Sequence, residues 1–157
     1  GGIAYLLLTE YGLDLPRRLQ IDFARHVQTH TDQSGAEITA ADLYDLFEAT
    51  YLDNRGSVEL KDWHTGGDSG TEITLAVDGR AQTSAHRGIG PVDALVQALG
   101  DIGRRVEVLS LTQQSVGSSA VTYLEYRRDG QVRWACGRSE SVLAASMAAV
   151  MRAVNEP

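Results

Sequence analysis

Hydrophobic positions in the first third of the chain recur at the spacing of a helix. Every fourth residue from Leu19 to Val27 is apolar, which places these side chains on one helical face. Pro16 suits the first turn of such a helix, because the N–H that proline lacks needs no partner there. The pattern predicts an amphipathic helix over about residues 16–30, followed by a loop at residues 31–35.

A second apolar stripe begins after Thr39. Thr39 and Asp42 have the spacing of a capping box, in which each side chain accepts a hydrogen bond from the other residue's backbone N–H. The apolar positions that follow at helical spacing are Leu43, Leu46, Phe47 and Tyr51. We therefore predict a second helix that ends near Asn54 or Gly56, and we expect residues 1–56 to form a small helical subdomain.

From Ser57 onward, apolar and polar residues alternate, which is typical of strands with one buried face. The dipeptide Asp78-Gly79 favours a two-residue hairpin turn, because both central positions of that turn need positive φ angles. It is predicted to join strands over residues 70–77 and 80–87. Apolar residues at helical spacing then predict a helix from about Val92 to Ile102.

The same order of elements then repeats. Asp129-Gly130 follows Asp78-Gly79 by 51 residues and again lies between two alternating segments, and a helical pattern starts at about Ser139. A three-stranded sheet with one helix leaves faces that a second such unit can cover. We therefore predict an α+β fold in which residues 57–157 form two βββα units related by pseudo-two-fold symmetry.

Composition and charge restrict the partners of this chain. A net charge of -7 and a pI near 5.0 argue against nucleic acid and anionic membranes, since both require a basic face. The longest apolar run, Ile3–Leu8, is too short to cross a bilayer and does not look like a secretory signal.

Cys136, the single cysteine, lies in an alternating segment where a buried strand position is expected. We expect a cytoplasmic protein.

Residues capable of catalysis or metal binding form no recognisable constellation. His26 and His30 have the i, i+4 spacing of a helical metal pair, but no further ligand follows nearby, so two surface histidines are the simpler interpretation. His64 and His86 fall near predicted strand ends, where exposed positions are expected. The sequence also lacks the Gly-x-Ser-x-Gly motif of a nucleophile elbow. We expect no catalytic residue, no metal site and no cofactor in this chain.

One segment has the features of a ligand site. Gly88-Ile89-Gly90-Pro91-Val92-Asp93 joins a predicted strand to a predicted helix, and its glycines expose backbone N–H groups at the helix N-terminus. Such a terminus attracts carboxylates through its unsatisfied donors and the helix dipole. The spacing alone leaves two interpretations open, a plain tight turn and a carboxylate site.

Several strings in the chain resemble one enzyme family. Residues 1–7 (GGIAYLL) and 12–23 (GLDLPRRLQIDF) resemble the linker segment of the actinobacterial-type 2-isopropylmalate synthases. Residues 88–94 (GIGPVDA) resemble the turn that opens the first helix of that family's regulatory domain, and residues 151–155 (MRAVN) resemble its ending. The similarity covers nearly the whole chain.

The resemblance implies a regulatory and dimerisation domain preceded by part of a linker. In that family, a TIM barrel condenses acetyl-CoA with 2-oxoisovalerate at a divalent metal. A C-terminal domain of two βββα units binds leucine as feedback inhibitor, at the interface between two regulatory domains of a dimer. A barrel needs about 250 residues, so the metal and the reaction belong to a part that this chain does not include. The implied partners are L-leucine or a similar small apolar amino acid, a second copy in a homodimer, and the catalytic domain of the parent chain.

The resemblance also implies which residues bind the effector. They are Gly88, Ile89, Gly90, Val92 and Asp93 in the turn, Val108 and Leu111 on the following strand, Ser115 and Ser118 near its loop, and Val142 on the last helix. The family often has Asn at the position of Ile89, so here backbone groups are left to hold the charged end of the ligand. Two alternatives remain open: a structural dimerisation domain whose site has decayed, and a domain that senses another amino acid such as isoleucine, as in the related citramalate synthases.

Overall fold

The computed structural model describes residues 2–35, 37–68 and 70–156. Helices α1 (Gly2–Tyr11), α2 (Arg17–Ser34) and α3 (Ala40–Phe47) open the chain, and α3 continues into a π-helical segment, Glu48–Leu52. Two units of three strands and one helix follow: β1 (Val58–Thr65), β2 (Thr71–Val77), β3 (Arg80–His86) and α4 (Pro91–Asp101), then β4 (Glu107–Val116), β5 (Ser119–Arg128), β6 (Gln131–Ser139) and α5 (Val142–Val154). The predicted α+β fold with two βββα units is confirmed.

The opening helices differ from the prediction at two places. The apolar run after Gly2 forms α1, a segment to which the hydrophobic pattern assigned no element. Helix α2 extends to Ser34, so the loop predicted at residues 31–35 is wrong over its first four residues. These polar residues continue the helix because it lies at the surface there. The helix stops at Gly35, whose left-handed φ of 67° suits glycine and whose N–H donates to Thr31 O at 2.8 Å.

The predicted capping box at the start of α3 is confirmed. The N–H of Asp42 donates to Thr39 Oγ1 at 3.1 Å, and the N–H of Thr39 donates to Asp42 Oδ2 at 3.3 Å. The helical region ends at Leu52, close to the predicted end at Asn54.

Both predicted Asp-Gly hairpin turns are present. Asp78 and Asp129 have φ angles of 50° and 52°, and the glycine that follows each also has a positive φ. Each sheet is antiparallel, with its strands in sequence order: β1-β2-β3 in the first sheet and β4-β5-β6 in the second.

The repeat extends to an irregularity of strand pairing. In β1 the pairing slips after Leu60, which lies opposite Leu75, and in β4 it slips after Val108, which lies opposite Tyr126. Leu75 and Tyr126 are 51 residues apart, the same offset as the two hairpin turns. Leu60 and Val108 are 48 residues apart, because the β1–β2 connection is longer than the β4–β5 connection. The two units therefore correspond position by position, which supports the pseudo-two-fold relation.

One hydrophobic core joins the two units. Helix α4 packs on the first sheet, α5 packs on the second, and the two helices pack on each other. The buried members of this core include Ile73 and Leu75 from β2, Leu95 and Leu99 from α4, Leu124 and Tyr126 from β5, and Met147 and Val150 from α5. Each such side chain contributes about 1.5–3 kcal/mol when it leaves water, so neither unit would retain this stabilisation alone.

A second core lies on the other face of the second sheet. Val121, Tyr123, Trp134 and Cys136 of β5 and β6 pack against Leu19, Phe23, Phe47 and Tyr51 of the opening helical region. Cys136 is buried, as the alternation predicted. Strand β5 is therefore covered on both faces, whereas the corresponding face of the first sheet carries polar side chains such as the hydrogen-bonded Thr74 and Thr83.

Among the residues described, no helix combines the length and apolar character needed to cross a bilayer.

Candidate functional site

The predicted effector turn connects β3 to α4. Gly88 has a φ of 75°, in the left-handed region that favours glycine. Gly90 is the N-cap of α4 and Pro91 occupies the first turn. Among the described residues, no side chain caps this helix N-terminus. The first-turn N–H groups of α4 are thus available to an external acceptor, which is the property that the sequence predicted for this segment.

The equivalent terminus in the second unit is closed. Ser141, which lies 51 residues after Gly90, is the N-cap of α5, and its Oγ accepts a hydrogen bond from the N–H of Ala144 at 3.1 Å. Both helices follow the third strand of their unit, α4 after a four-residue connection and α5 after a two-residue connection. The difference shows that the first unit leaves open a terminus that the same architecture can close with one serine.

The residues predicted on β4 share one face but are spread along the strand. Val108 pairs with Tyr126, Leu111 with Leu124 and Ser115 with Ala120, so all three lie on the face that carries the first core. Ile89, Val92 and Leu111 are partly buried and pack against that same core.

The remaining predicted residues lie further away. Ser115 is four residues beyond Leu111, about 13 Å along a strand, which is more than a single amino-acid ligand spans. Ser118 belongs to the β4–β5 turn. This end of the hairpin contacts the opening helical region, where Gln114 Nε2 donates to Gly12 O at 2.9 Å and Gln114 Oε1 accepts from Asp14 N at 2.8 Å.

Two apolar residues of the predicted set are exposed. Val108 keeps 38% of its surface accessible, and Val142, the first residue of α5, keeps 44%. Asp93 is also exposed and lies in the first turn of α4. The single chain therefore does not enclose the predicted ligand.

The structure adds residues that the sequence analysis missed. Thr71, at the start of β2, is buried, and its hydroxyl donates to Ile89 O at 3.2 Å. His86, expected at an exposed strand end, is only 5% exposed, so that expectation is wrong. Its Nδ1 and Gln97 Oε1 are 2.7 Å apart, and its Nε2 and Ser84 Oγ are 2.7 Å apart. The side-chain amide oxygen of Gln97 can only accept, so Nδ1 donates to it, while Nε2 lies within hydrogen-bond distance of the Ser84 hydroxyl.

The register of the first hairpin predicts that Thr71 and His86 lie side by side. A two-residue turn at Asp78-Gly79 places Thr71 opposite His86, and the structure shows that pairing. Both side chains therefore lie next to the turn that follows β3. The hydrogen bonds they make depend on the packing of α4, which alternation alone does not reveal.

A buried carboxylate connects the second sheet to the opening helical region. Arg18 of α2 donates to both oxygens of Glu125 on β5, with Nε at 2.8 Å and Nη2 at 2.6 Å. The hydrogen bonds and charge of Arg18 hold the pKa of Glu125 below its ordinary value. Ser110 of β4 also donates to Glu125, at 3.4 Å. Arg18, whose side chain is 68% exposed, therefore links α2 through Glu125 to two strands of the second sheet.

The other titratable groups that the structure describes form neither a metal centre nor an activated nucleophile. Burial raises the pKa of the Cys136 thiol, which keeps it protonated. His26 and His30 lie on the exposed side of α2. Among the described residues, no group of three or more His, Cys, Asp or Glu side chains is placed to hold a metal ion.

A groove of about 330 Å³ lies between β1 and α5, and its lining includes none of the ten predicted effector residues. Its apolar lining includes Leu60, Trp63 and Met147. By the 48-residue offset of the first strands, Leu60 and Trp63 are the counterparts of Val108 and Leu111. The predicted apolar wall on β4 thus occupies the same place in the second unit as this groove wall does in the first.

Comparison with known proteins identifies similar sequences. Residues 37–157 match the model of the LeuA allosteric (dimerisation) domain. The chain is 41% identical to a 2-isopropylmalate synthase of Parafrankia sp. (strain EAN1pec) over 167 aligned residues, which cover 99% of the chain and 30% of that protein. It is 43% identical to the 2-isopropylmalate synthase of Nocardia farcinica (strain IFM 10152), covering 90% of the chain and 22% of that protein. For the 2-isopropylmalate synthase of Mycobacterium leprae (strain TN), the identity is 33%, covering 99% and 27%. The chain spans less than a third of the length of these relatives.

Proposed function

Because the chain belongs to the LeuA allosteric (dimerisation) domain family, we propose that it binds L-leucine and thereby regulates a 2-isopropylmalate synthase by feedback inhibition. On this proposal, the reaction of acetyl-CoA with 2-oxoisovalerate, and its divalent metal, belong to the catalytic barrel of the parent protein. The chain alone should then show no turnover with these substrates.

The observation that carries the proposal is the uncapped N-terminus of α4 at the glycine turn. A carboxylate needs donors that are not already hydrogen-bonded within the protein, and first-turn N–H groups meet that need with the help of the helix dipole. A Cβ added at Gly90 would meet no atom within 4 Å, so the space in front of these donors is open. The Asp93 carboxylate, exposed in the same turn, is an acceptor for the ligand's ammonium group.

The side chain of leucine requires an apolar wall, for which Val92, Val108 and Leu111 are the candidates. Each methylene group that leaves water contributes about 0.8 kcal/mol. Leucine has three more side-chain carbons than alanine, so it should bind more tightly by about 2 kcal/mol, which is more than tenfold in affinity. The exposure of Val108 and Val142 fits a site that a second copy of the chain completes.

The experiment is a calorimetric titration of the chain with L-leucine, L-isoleucine and L-alanine. Gly90→Val should weaken leucine binding by at least tenfold, because the new side chain fills the approach to the helix N-terminus. Gly100→Val is the matched control, since Gly100 lies at the other end of α4 and also has no neighbour within 4 Å of an added Cβ.

The titration separates the proposal from its alternatives. Tighter binding of isoleucine than of leucine would favour the domain that senses isoleucine. No binding of any of the three amino acids by the wild type would favour a structural dimerisation domain with a decayed site. Equal leucine affinity in Gly90→Val and Gly100→Val would contradict the site as placed.

A further inference from the structure

The Ile89–Gly90 peptide group is held from the interior of the protein by Thr71. Thr71 is 2% exposed, and its Oγ1 donates to Ile89 O at 3.2 Å. The carbonyl of this peptide group therefore points towards the buried start of β2. Ile89 itself packs against the first core, which fixes the residue on the same side.

The direction of the carbonyl determines the direction of the next N–H group. The Ile89–Gly90 peptide bond is trans, and in a planar trans peptide the N–H points opposite to the C=O. Since the C=O of Ile89 points inward to Thr71, the N–H of Gly90 points outward. Gly90 is exposed, so this donor faces the space in front of the α4 N-terminus.

We propose that Thr71 is a positioning residue: its hydroxyl orients the Ile89–Gly90 peptide so that the Gly90 N–H faces the carboxylate of the effector. The effector's part in this inference rests on the proposed function. The orientation of the peptide does not, because it follows from contacts within the chain.

The second βββα unit supplies an internal comparison. Thr122 is the counterpart of Thr71 and is also buried, but its Oγ1 lies 3.0 Å from Ser146 Oγ on α5, inside the core. In that unit the Ser141 side chain caps the N-terminus of α5. In the second unit, where a serine caps the helix, the threonine hydroxyl bonds within the core. In the first unit, where no side chain caps the helix among the described residues, the threonine hydroxyl bonds to the turn. A role in folding common to both threonines would not require this difference.

Neighbouring residues keep the start of β2 close to the turn. Gly70 precedes Thr71 with a φ of 74°, and a Cβ there would lie 2.5 Å from His86 O and 2.9 Å from Arg87 Cα. The ring of His86 bridges Ser84 and Gln97 and so ties β3 to α4 just before the turn. Thr71 therefore acts on a turn whose two ends are already fixed.

The first test is leucine titration calorimetry on the wild type and three variants. Thr71→Val keeps the shape of the side chain and removes the hydroxyl, so it should weaken leucine binding by about fivefold or more, the effect of one net hydrogen bond. Thr71→Ser restores the donor and should stay close to the wild type. Thr74→Val removes another hydroxyl of β2, one that bonds to Thr83 on the opposite face, and should have no effect on affinity.

The second test observes the Gly90 amide by NMR in the chain without ligand. In the wild type this amide should exchange quickly with water, because it points outward, and its signal should shift in Thr71→Val but stay in place in Thr74→Val. The exchange rate of the wild-type Gly90 amide still tests the inference if Thr71→Val proves too unstable to study. Strong protection of the Gly90 amide in the free wild type would overturn the inference, and so would equal leucine affinity in Thr71→Val and Thr74→Val.

The two tests separate this inference from the proposed function. If the wild type binds no leucine, yet the Gly90 amide exchanges quickly and its signal shifts in Thr71→Val, the proposed function fails and the orientation by Thr71 stands.

Discussion

Glu125 has a more constrained environment than the other carboxylates that form ion pairs on the sheets. It lies on β5, on the face that the opening helical region covers, and Arg18 holds both of its oxygens. Ser110 of β4, the strand that carries Val108 and Leu111, also donates a hydrogen bond to Glu125. Glu125 therefore contacts both α2, part of which resembles the family's linker, and the strand that carries two of the predicted effector residues.

The ion pair should make stability depend on pH in a defined direction. Arg18 lowers the pKa of Glu125 in the folded state from the ordinary 4.5, so the folded state favours the ionised form. This contribution is fully present above the ordinary pKa and is lost as the pH falls through the lowered folded-state pKa. Glu125→Gln should therefore reduce the free energy of unfolding at pH 7, and the difference from the wild type should shrink below about pH 4.5.

Chemical denaturation at several pH values measures this difference. Glu107→Gln is the control, because Glu107 pairs with Arg127 at the surface, where both side chains are about half exposed, and exposed pairs contribute little. A difference between the wild type and Glu125→Gln that stays constant from pH 7 to pH 3 would contradict the assignment.

The two strand-to-helix junctions show how equivalent elements differ in their packing. His86 at the end of β3 and Gly137 in β6 are counterparts at the 51-residue offset. In the first unit, the buried imidazole of His86 bridges β3 and α4 through its hydrogen bond to Gln97. In the second unit no side chain intervenes, because a Cβ on Gly137 would lie 2.0 Å from Ala145 O and 2.6 Å from Ala149 N. Helix α5 therefore packs directly on the backbone of β6.

Gly137→Ala should be strongly destabilising for this reason. The added methyl group meets backbone atoms of α5 that cannot move without displacing the helix, so we expect a loss of about 3 kcal/mol or more of unfolding free energy. Gly100→Ala is the matched control in α4, where the added Cβ meets nothing, and it should stabilise the helix by about 0.5–1 kcal/mol. Thermal or urea unfolding of the two variants distinguishes a packing effect at Gly137 from a general effect of replacing a glycine. Equal stability of the two variants would contradict the packing effect.

The elements with local signals could be predicted from the sequence. The Asp-Gly turns and the capping box at Thr39 each depend on a few adjacent residues, and the structure confirms them. The polar residues 31–34 next to a glycine are typical of a loop, but a surface helix accepts them equally well, and α2 includes them. Helix α1 carries apolar residues on all sides, so its pattern had no preferred face.

The candidate site was only partly predictable. The glycine turn and its open helix terminus follow from adjacent residues and are present in the structure. The support from Thr71 and His86 depends on how α4 lies against β2 and β3, and the separation of Ser115 from Leu111 depends on strand geometry. The assignment of the ten effector residues and the domain boundary after Gly56 stay predictions.

At the scale of the whole molecule, the two units share one core but have different surroundings. The opening helical region covers the second sheet and leaves the first sheet with a polar outer face. Part of the predicted effector wall is left exposed, at Val108 and Val142. Contact with a second copy would cover such residues, which agrees with the dimerisation role of the family whose model matches residues 37–157.

The chain should therefore be a dimer in solution, and an acidic side chain at Val142 should weaken it. Val142 begins α5 and is 44% exposed. Burying an unpaired carboxylate there would cost several kcal/mol, so Val142→Glu should raise the dimer dissociation constant by at least about tenfold.

Val132→Glu is the control, because Val132 has a similar exposure but lies in a cleft beside Arg25 and Arg133 of the same chain. Light scattering coupled to size exclusion, at tens of micromolar chain, should give twice the mass of one chain for the wild type and for Val132→Glu, and a lower mass for Val142→Glu. A wild type with the mass of one chain would contradict the dimer, and dissociation by Val132→Glu but not by Val142→Glu would place the interface on the opposite side of the second sheet.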